Sequence, residues 1–252
     1  MIDIGAVIAL SLAAFVCGFI DSTLGMMYGV ILSPTLIIVG FDPLAVIPSV
    51  LLSQAAGGFS AAFFHHKFGN VNFRLRSRDS KVVYVSTSTG IAATVMAVAV
   101  AVNVPRVALE TYIGLLISAL GVLLLSRARF RFSWKKIAIV SVIGSFNKGL
   151  TGGGFSPVVA SGQIIAERTS RQAIGTTVLA KAPIAVVAFF VYSLVGGIPE
   201  WGFLLPLCVG AAVAAPFGAL VTRRLPHVKL RRVLGASVLL LGVWMLLKIW
   251  MF

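Results

Sequence analysis

Ionisable side chains inside strongly apolar stretches are the first candidates for chemistry, and there are three of them: Asp21, Lys148 and Lys181. A charge in hydrocarbon is costly, and it is typically retained to pair with another charge or to bind an ionic substrate. Two lysines against one carboxylate leave spare positive charge, which favours an anionic ligand. Asp21 could instead pair with one lysine only to hold the fold, or it could relay a proton.

A glycine-rich run at residues 149–154, GLTGGG, is the second candidate feature. Each adjacent glycine costs roughly 1 kcal/mol of helix stability relative to alanine, so we predict an unwound segment. Such a break leaves the N–H groups of the next half-helix unpaired, and these form an anion site together with the positive end of the helix dipole. Asn147, Thr151 and Ser156 are further polar donors beside the break.

The sequence aligns with itself at an offset of 127 residues without gaps, which indicates a duplication. The offset pairs Gly25 with Gly152, and two such helix ends could converge on one ligand. It also pairs Asp21 with Lys148 and Gln54 with Lys181. The predicted substrate-binding set therefore contains residues around both breaks and on the spans beside them: Asp21, Ser22, Thr23, Gly25, Tyr28, Gln54, Asn147, Lys148, Thr151, Gly152, Gly153, Gly154, Ser156 and Lys181.

The elements that must position these residues are membrane helices. Of the 252 residues, 59% are hydrophobic and 11% are charged, which is too little charge to cover a water-soluble surface. Several apolar stretches approach the roughly 20 residues that cross a bilayer core, and backbone pairing in lipid requires that they be helical. The clearest stretches are 43–64, 82–103, 108–126, 172–195, 201–222 and 233–252.

The formal net charge of +14 comes mostly from basic clusters at 65–81, 127–136 and 223–232. Short basic loops beside membrane spans follow the positive-inside rule, so we assign these loops to the cytoplasm and expect no nucleic-acid partner. All three loops lie on the same side if the stretches 4–40 and 134–165 are each a re-entrant hairpin that enters and leaves on one side. Their polar, glycine-containing interruptions lie at 21–29 and 147–156.

This arrangement predicts an all-α integral membrane protein made of two inverted repeats, 1–126 and 127–252. Each repeat would be a broken or re-entrant helical hairpin followed by three transmembrane helices. Inverted repeats with broken helices are typical of secondary transporters that alternate access around a midplane site. The sequence leaves open whether the chain forms a homo-oligomer.

Other function classes fit the sequence less well. A cation or metal transporter needs several carboxylates, histidines or thiols inside the membrane, whereas we place His65, His66 and His227 at the surface. A membrane-embedded enzyme needs a paired acid and base or a metal cluster, and none is visible. Residues 149–155 lack the order of a phosphate-binding P-loop, so we expect no ATP site and no cofactor. A non-transporting assembly factor would leave the lysines unexplained.

Three motifs resemble the TauE/SafE family of sulfite and organosulfonate exporters: GFIDSTLGMMYGVILSPTLII at 18–38, HHKFGNVNFRL at 65–75 and GSFNKGLTGGGFSPVVASG at 144–162. The resemblance implies a multi-pass protein of the cell inner membrane. It further implies export of small sulfur-containing oxyanions from a site between the two breaks. Met26 and Met27 stand where many relatives have glycine. The first-half site is therefore expected to be narrower, or suited to a softer, larger organosulfur group.

Overall fold

The structure, a computed structural model, describes residues 4–39, 41, 43–101, 106–126, 132–151, 154–166, 168–196, 199 and 201–251. In these ranges the chain forms α-helices and no strand. The helices are α1 (Ile4–Leu24), α2 (Tyr28–Ile38), α3 (Pro43–Lys67), α4 (Arg78–Ala101), α5 (Arg106–Leu125), α6 (Trp134–Thr151), α7 (Phe155–Ile165), α8 (Ser170–Gly196), α9 (Trp201–Arg224) and α10 (His227–Met251).

The six predicted apolar stretches each coincide with one long helix, namely α3, α4, α5, α8, α9 and α10, as expected for an all-α membrane protein. Among the described residues, five helical segments are long and apolar enough to cross a bilayer: Ile4–Leu24, Ala45–Lys67, Ser170–Leu194, Trp201–Arg224 and Val228–Lys248. The first of these is α1, whose 21 residues suffice to cross alone. The protein is therefore a multi-pass membrane protein.

Both predicted interruptions coincide with helix ends. In the first, α1 ends at Leu24 and α2 begins at Tyr28. Gly25 takes a φ of 77°, and its N–H donates to the carbonyl oxygen of Asp21 at 2.6 Å, which closes the last turn of α1 through a left-handed residue. In the second, α6 ends at Thr151 and α7 begins at Phe155 after Gly154, whose φ is 82°.

The order of helix lengths occurs twice along the chain. Both α2 and α7 have 11 residues, and their first residues, Tyr28 and Phe155, are separated by the 127-residue offset of the sequence repeat. The packing follows the same correspondence, because α1 packs on α9 while α6 packs on α4. In addition, α3 packs on its counterpart α8, and α5 on its counterpart α10. When each helix is replaced by its counterpart in the other half, the contact of α1 with α9 becomes that of α6 with α4. The other two contacts are unchanged by this exchange.

The counterpart helices pack antiparallel. Near the middle of α3, a Cβ added at Gly58 would lie 3.0 Å from Cβ of Ala182 and 3.0 Å from the carbonyl oxygen of Val178 on α8. Earlier residues of α3, such as Leu51, share a core cluster with later residues of α8, such as Phe189. The chains of the two helices therefore run in opposite directions.

The second counterpart pair, α5 and α10, has the same antiparallel direction. A Cβ added at Gly114 would lie 2.8 Å from Leu246, and one added at Gly121 would lie 2.7 Å from Leu239. Advancing along α5 thus means moving back along α10. Glycine permits this close approach, since any side chain at Gly121 would meet the backbone of Leu239.

The helices on either side of the second break also pack antiparallel. A Cβ added at Gly144 of α6 would lie 2.8 Å from Val159 of α7, whereas one added at Gly162 of α7 would lie 2.5 Å from Val140 of α6. Residues close to the break contact each other, and so do residues farther from it. The chain therefore turns back at this break and forms a helical hairpin.

Candidate functional site

A buried ion pair joins the first break to α8. The Nζ of Lys181 donates to Oδ2 of Asp21. Lys181 is fully buried and Asp21 is 6% exposed. The other carboxylate oxygen, Oδ1, is buried and has no hydrogen-bond partner in the part of the chain that the structure describes. The pair connects α1 with α8, and its charges cancel.

The other buried lysine has a neutral partner. The Nζ of Lys148, at the end of α6, donates to Oε1 of Gln54 on α3 at 2.5 Å, and Lys148 is 2% exposed. The repeat offset makes Lys148 the counterpart of Asp21, and Gln54 the counterpart of Lys181. The two contacts are therefore equivalent by the repeat, but the second contains no carboxylate, so Lys148 has a neutral partner where Lys181 has an acidic one.

A small cavity lies between the two breaks. It is lined by the start of α2, the start of α7 and the lysine–glutamine pair: Met27, Gly29, Val30, Gln54, Lys148, Gly154, Phe155, Ser156 and Pro157. Its volume is about 10 Å³ when traced by the centre of a water molecule, which is the size of a single water site. The starts of both short helices thus line one small cavity together with the buried amino group of Lys148.

The helix starts supply hydrogen-bond donors to this space. The first N–H groups of a helix have no partner within it, and Gly154, the N-cap of α7, makes no side-chain cap hydrogen bond. Pro157 has no N–H, so the first turn of α7 offers the N–H groups of Phe155 and Ser156. With the dipoles of α2 and α7, the lining can stabilise a negatively charged ligand.

Several predicted site residues hold the helices together instead of lining the cavity. The Ser22 hydroxyl donates to the carbonyl oxygen of Ala215 on α9 at 2.8 Å. The Thr23 hydroxyl donates to the carbonyl oxygen of Phe19 in its own helix at 2.7 Å. These two hydroxyl groups stabilise α1 and its contact with α9.

Tyr28 and Gly25 also support the first break. The Tyr28 hydroxyl donates to Oγ of Ser53 on α3 at 2.8 Å. Gly25 lies so close to α8 that an added Cβ would be 3.3 Å from Cα of Ile174. Both residues fix the position of the start of α2 and lie outside the cavity lining.

On the second-half side, the structure brings Gly154 and Ser156 into the cavity lining with Gln54 and Lys148. Asn147 is fully buried in α6 beside Lys148. Thr151 is the last residue of α6, but its side chain, Gly152 and Gly153 lie outside the described residues.

The expectation that His65 lies at the surface is wrong, because His65 is fully buried. Its Nε2 lies 2.9 Å from the carbonyl oxygen of Ser22, and its Nδ1 accepts from Nδ2 of Asn70 at 3.0 Å. Asn70 also donates to the carbonyl oxygen of Ala219 at 2.8 Å. The ring is therefore neutral with its hydrogen on Nε2, and it ties the end of α1 to α3 and α9. The apolar sequence before it gave no sign of this role.

Among the described residues, one further buried acidic side chain, Asp79, lies outside the cavity region. Arg168 and Asp79 make a buried ion pair, and Asp79 also accepts from the N–H of Asn72 at 2.8 Å. This contact joins the loop before α8 to the start of α4. In the described part of the chain, no group of histidine, cysteine, aspartate and glutamate side chains is arranged to hold a metal ion.

Substituting Gly154 by alanine should reduce substrate affinity. A Cβ in the left-handed region costs about 1–2 kcal/mol, and Gly154 lines the cavity, where a ligand would lie. Gly69→Ala is the matched control, because Gly69 has a φ of 72° and open space around it. We expect both variants to lose similar thermal stability in detergent, but only Gly154→Ala to lose substrate affinity in a binding titration. Equal affinities would remove Gly154 from the site.

The chain is similar to known membrane transporters over most of its length. Residues 10–245 match the family described as sulfite exporter TauE/SafE. A curated relative, "Probable membrane transporter protein YtnM" of Bacillus subtilis (strain 168), is 28% identical over 248 residues, which cover 92% of this chain and 79% of the relative. No solved structure matches the chain. The family match spans nearly all of the helices described above, so the chain belongs to the TauE/SafE family of membrane transporters.

Proposed function

We propose that this protein is a secondary transporter that exports a small sulfur-containing anion, such as sulfite or an organosulfonate. The observation that supports this most strongly is the cavity where the starts of α2 and α7 meet Lys148. Two helix N-termini and a buried lysine lie together there, and each of these features favours a negatively charged ligand.

The chemistry of the lining suits a sulfur oxyanion. Its three oxygens accept hydrogen bonds, and the N–H groups of the two helix starts supply donors without fixed charge. Lys148 supplies a compact point charge. When an anion enters, the Nζ of Lys148 can exchange its bond to Gln54 for a bond to the anion, while the Gln54 amide N–H₂ becomes a donor. Because Asp21 neutralises Lys181, Lys148 is left as a basic group whose bonded partner is neutral, which favours an anion over a cation in this layer.

Transport by alternating access would use the two halves, 1–126 and 127–252, as inverted repeats. The antiparallel packing of α3 on α8 and of α5 on α10 supports this. A two-fold axis that relates two antiparallel helices is perpendicular to them. Because these helices cross the membrane, the axis lies in the membrane plane, as in inverted-repeat transporters. The cavity holds about one water, so it must widen to admit an anion, and we assign that widening to a movement of one half against the other.

If the two halves are inverted repeats as proposed, the basic loops all lie in the cytoplasm. In a variant lacking Cys17 and Cys208, single cysteines replacing Arg78, Arg129 and Arg231 should resist an impermeant thiol reagent in intact cells, because the basic loops are cytoplasmic. A cysteine replacing Glu110 should react and serves as the control. Labelling of any of the three loop cysteines from outside would contradict the inverted arrangement.

Counterflow into proteoliposomes tests the proposed function. Vesicles preloaded with sulfite should take up labelled sulfite with saturable kinetics, and other small oxyanions should compete. We expect divalent cations to have no such effect. Saturable cation uptake without anion uptake would support a cation transporter, and chemical conversion of sulfite in the vesicles would support an enzyme; either result would overturn the proposal.

A further inference from the structure

Met27 occupies a backbone conformation that methionine rarely adopts. Its φ is 92°, and its carbonyl oxygen accepts the N–H of Ile31 at 3.0 Å, in the first turn of α2. A residue with a Cβ is strained in the left-handed region, because its Cβ comes too close to the following carbonyl oxygen. Strained residues of this kind persist where the surrounding structure holds them, and they cluster at ligand sites.

The counterpart of Met27 in the second half is a glycine. Gly154 follows Met27 by the repeat offset, precedes α7 as Met27 precedes α2, and has a φ of 82°. Both residues line the cavity. The two walls thus share one backbone conformation, but only the second has the residue that this conformation favours. Position 27 therefore carries a methionine although its backbone conformation favours glycine.

The neighbouring methionine shows that a hydrophobic residue at this break need not face the cavity. Met26 is fully buried and belongs to a core cluster that includes Ile164, Ile174 and Leu234. It does not line the cavity, whereas Met27 packs against that cluster and also forms part of the cavity wall. Met27 therefore lies between that core cluster and the cavity that contains the lysine–glutamine pair.

We propose that Met27 is the residue that sets substrate size, restricting the site to an inorganic oxyanion such as sulfite and excluding sulfonates with a carbon substituent. This inference rests on the proposed function. Sulfite has a lone pair where a sulfonate has its S–C bond. With the three oxygens bound to the helix starts and Lys148, the Met27 side chain occupies the volume that a carbon substituent would need.

A volume series at position 27 tests the inference. Met27→Leu keeps the side-chain volume, Met27→Ala removes all atoms beyond Cβ, and Met27→Gly also removes the backbone strain. The measurement is kcat/KM for sulfite and for ethanesulfonate in proteoliposomes. In the alanine and glycine variants we expect the ethanesulfonate-to-sulfite ratio to rise about tenfold or more, the usual effect of one or two methylene groups in a pocket. In the leucine variant the ratio should stay at the wild-type value.

Alanine and glycine separate size from strain, because both remove the bulk but only glycine relieves the left-handed φ. If the ethanesulfonate-to-sulfite ratio changes only in Met27→Gly, side-chain size does not set the selectivity. That result would overturn the inference and would attribute the effect to the backbone conformation. Equal ratios in all variants, or a wild-type protein that carries both anions equally well, would overturn it while leaving the proposed function intact. A wild-type protein that carries neither anion would overturn both.

Discussion

Replacing Lys148 by glutamine should lower sulfite affinity about 100-fold. This is the usual loss of affinity when a ligand loses one hydrogen bond to a charged group. The variant should still fold, because the partner of Lys148 is the neutral amide of Gln54. No opposite charge is left buried, and a glutamine at 148 can still donate to Gln54. The measurement is the concentration dependence of sulfite counterflow, with thermal unfolding in detergent as a check on folding.

The matched control for Lys148→Gln is Lys81→Gln, since Lys81 is exposed near the start of α4. It removes the same charge from the protein but leaves the cavity unchanged. We expect wild-type affinity for this variant. Wild-type affinity in Lys148→Gln as well would place the anion elsewhere.

Breaking the Asp21–Lys181 pair should destabilise the protein more than any surface change. Asp21→Asn leaves the fully buried Lys181 without a countercharge, and Lys181→Met leaves the Asp21 carboxylate in the same situation. Removal of one partner of a buried pair typically costs about 3–5 kcal/mol. Each single variant should therefore show a much lower unfolding temperature in detergent.

The double variant Asp21→Asn/Lys181→Met should recover much of this stability, because no unpaired charge remains. It should also still bind sulfite, since in our account the anion contacts Lys148. A double variant that is as unstable as the singles would contradict a simple ion pair. A stable double variant without sulfite affinity would show that Lys181 contributes to binding directly.

Much of the fold could be predicted from the sequence, because membrane helices are specified by the length of apolar stretches. The breaks were also visible. In the second, Gly154 adopts the positive φ that its glycine-rich context suggested. In the first, the single Gly25 closes α1, and the repeat offset identified it.

The pairing of the buried charges was not predictable. Asp21 and Lys148 align in the repeat, but they are counterparts and belong to different contacts. Asp21 pairs with Lys181, 160 residues away, through the packing of α1 beside α8. Which lysine pairs with Asp21 depends on tertiary contacts between helices, and no local sequence pattern specifies these contacts. The burial of His65 is hidden for the same reason, since its partners lie at the end of α1 and after α3.

The hydrogen-bond acceptor of each hydroxyl group could not be predicted from the sequence either. Ser22 and Thr23 could have donated to a ligand, but their hydrogen bonds go to backbone carbonyls. Ser and Thr in membrane helices often bond in this way, because unpaired polar groups are costly in lipid. A sequence pattern shows that a donor is present, but not which acceptor it reaches.

In the proposed transporter, one anion binds between the starts of α2 and α7 beside Lys148. The most direct test is a crystal structure grown with selenite, the selenium analogue of sulfite, with data collected at the selenium absorption edge. We predict one dominant anomalous peak in the cavity lined by Gly29, Gln54, Lys148 and Ser156, within hydrogen-bond distance of the Lys148 Nζ. A dominant peak elsewhere in the protein, or none at selenite concentrations that saturate transport, would contradict the account.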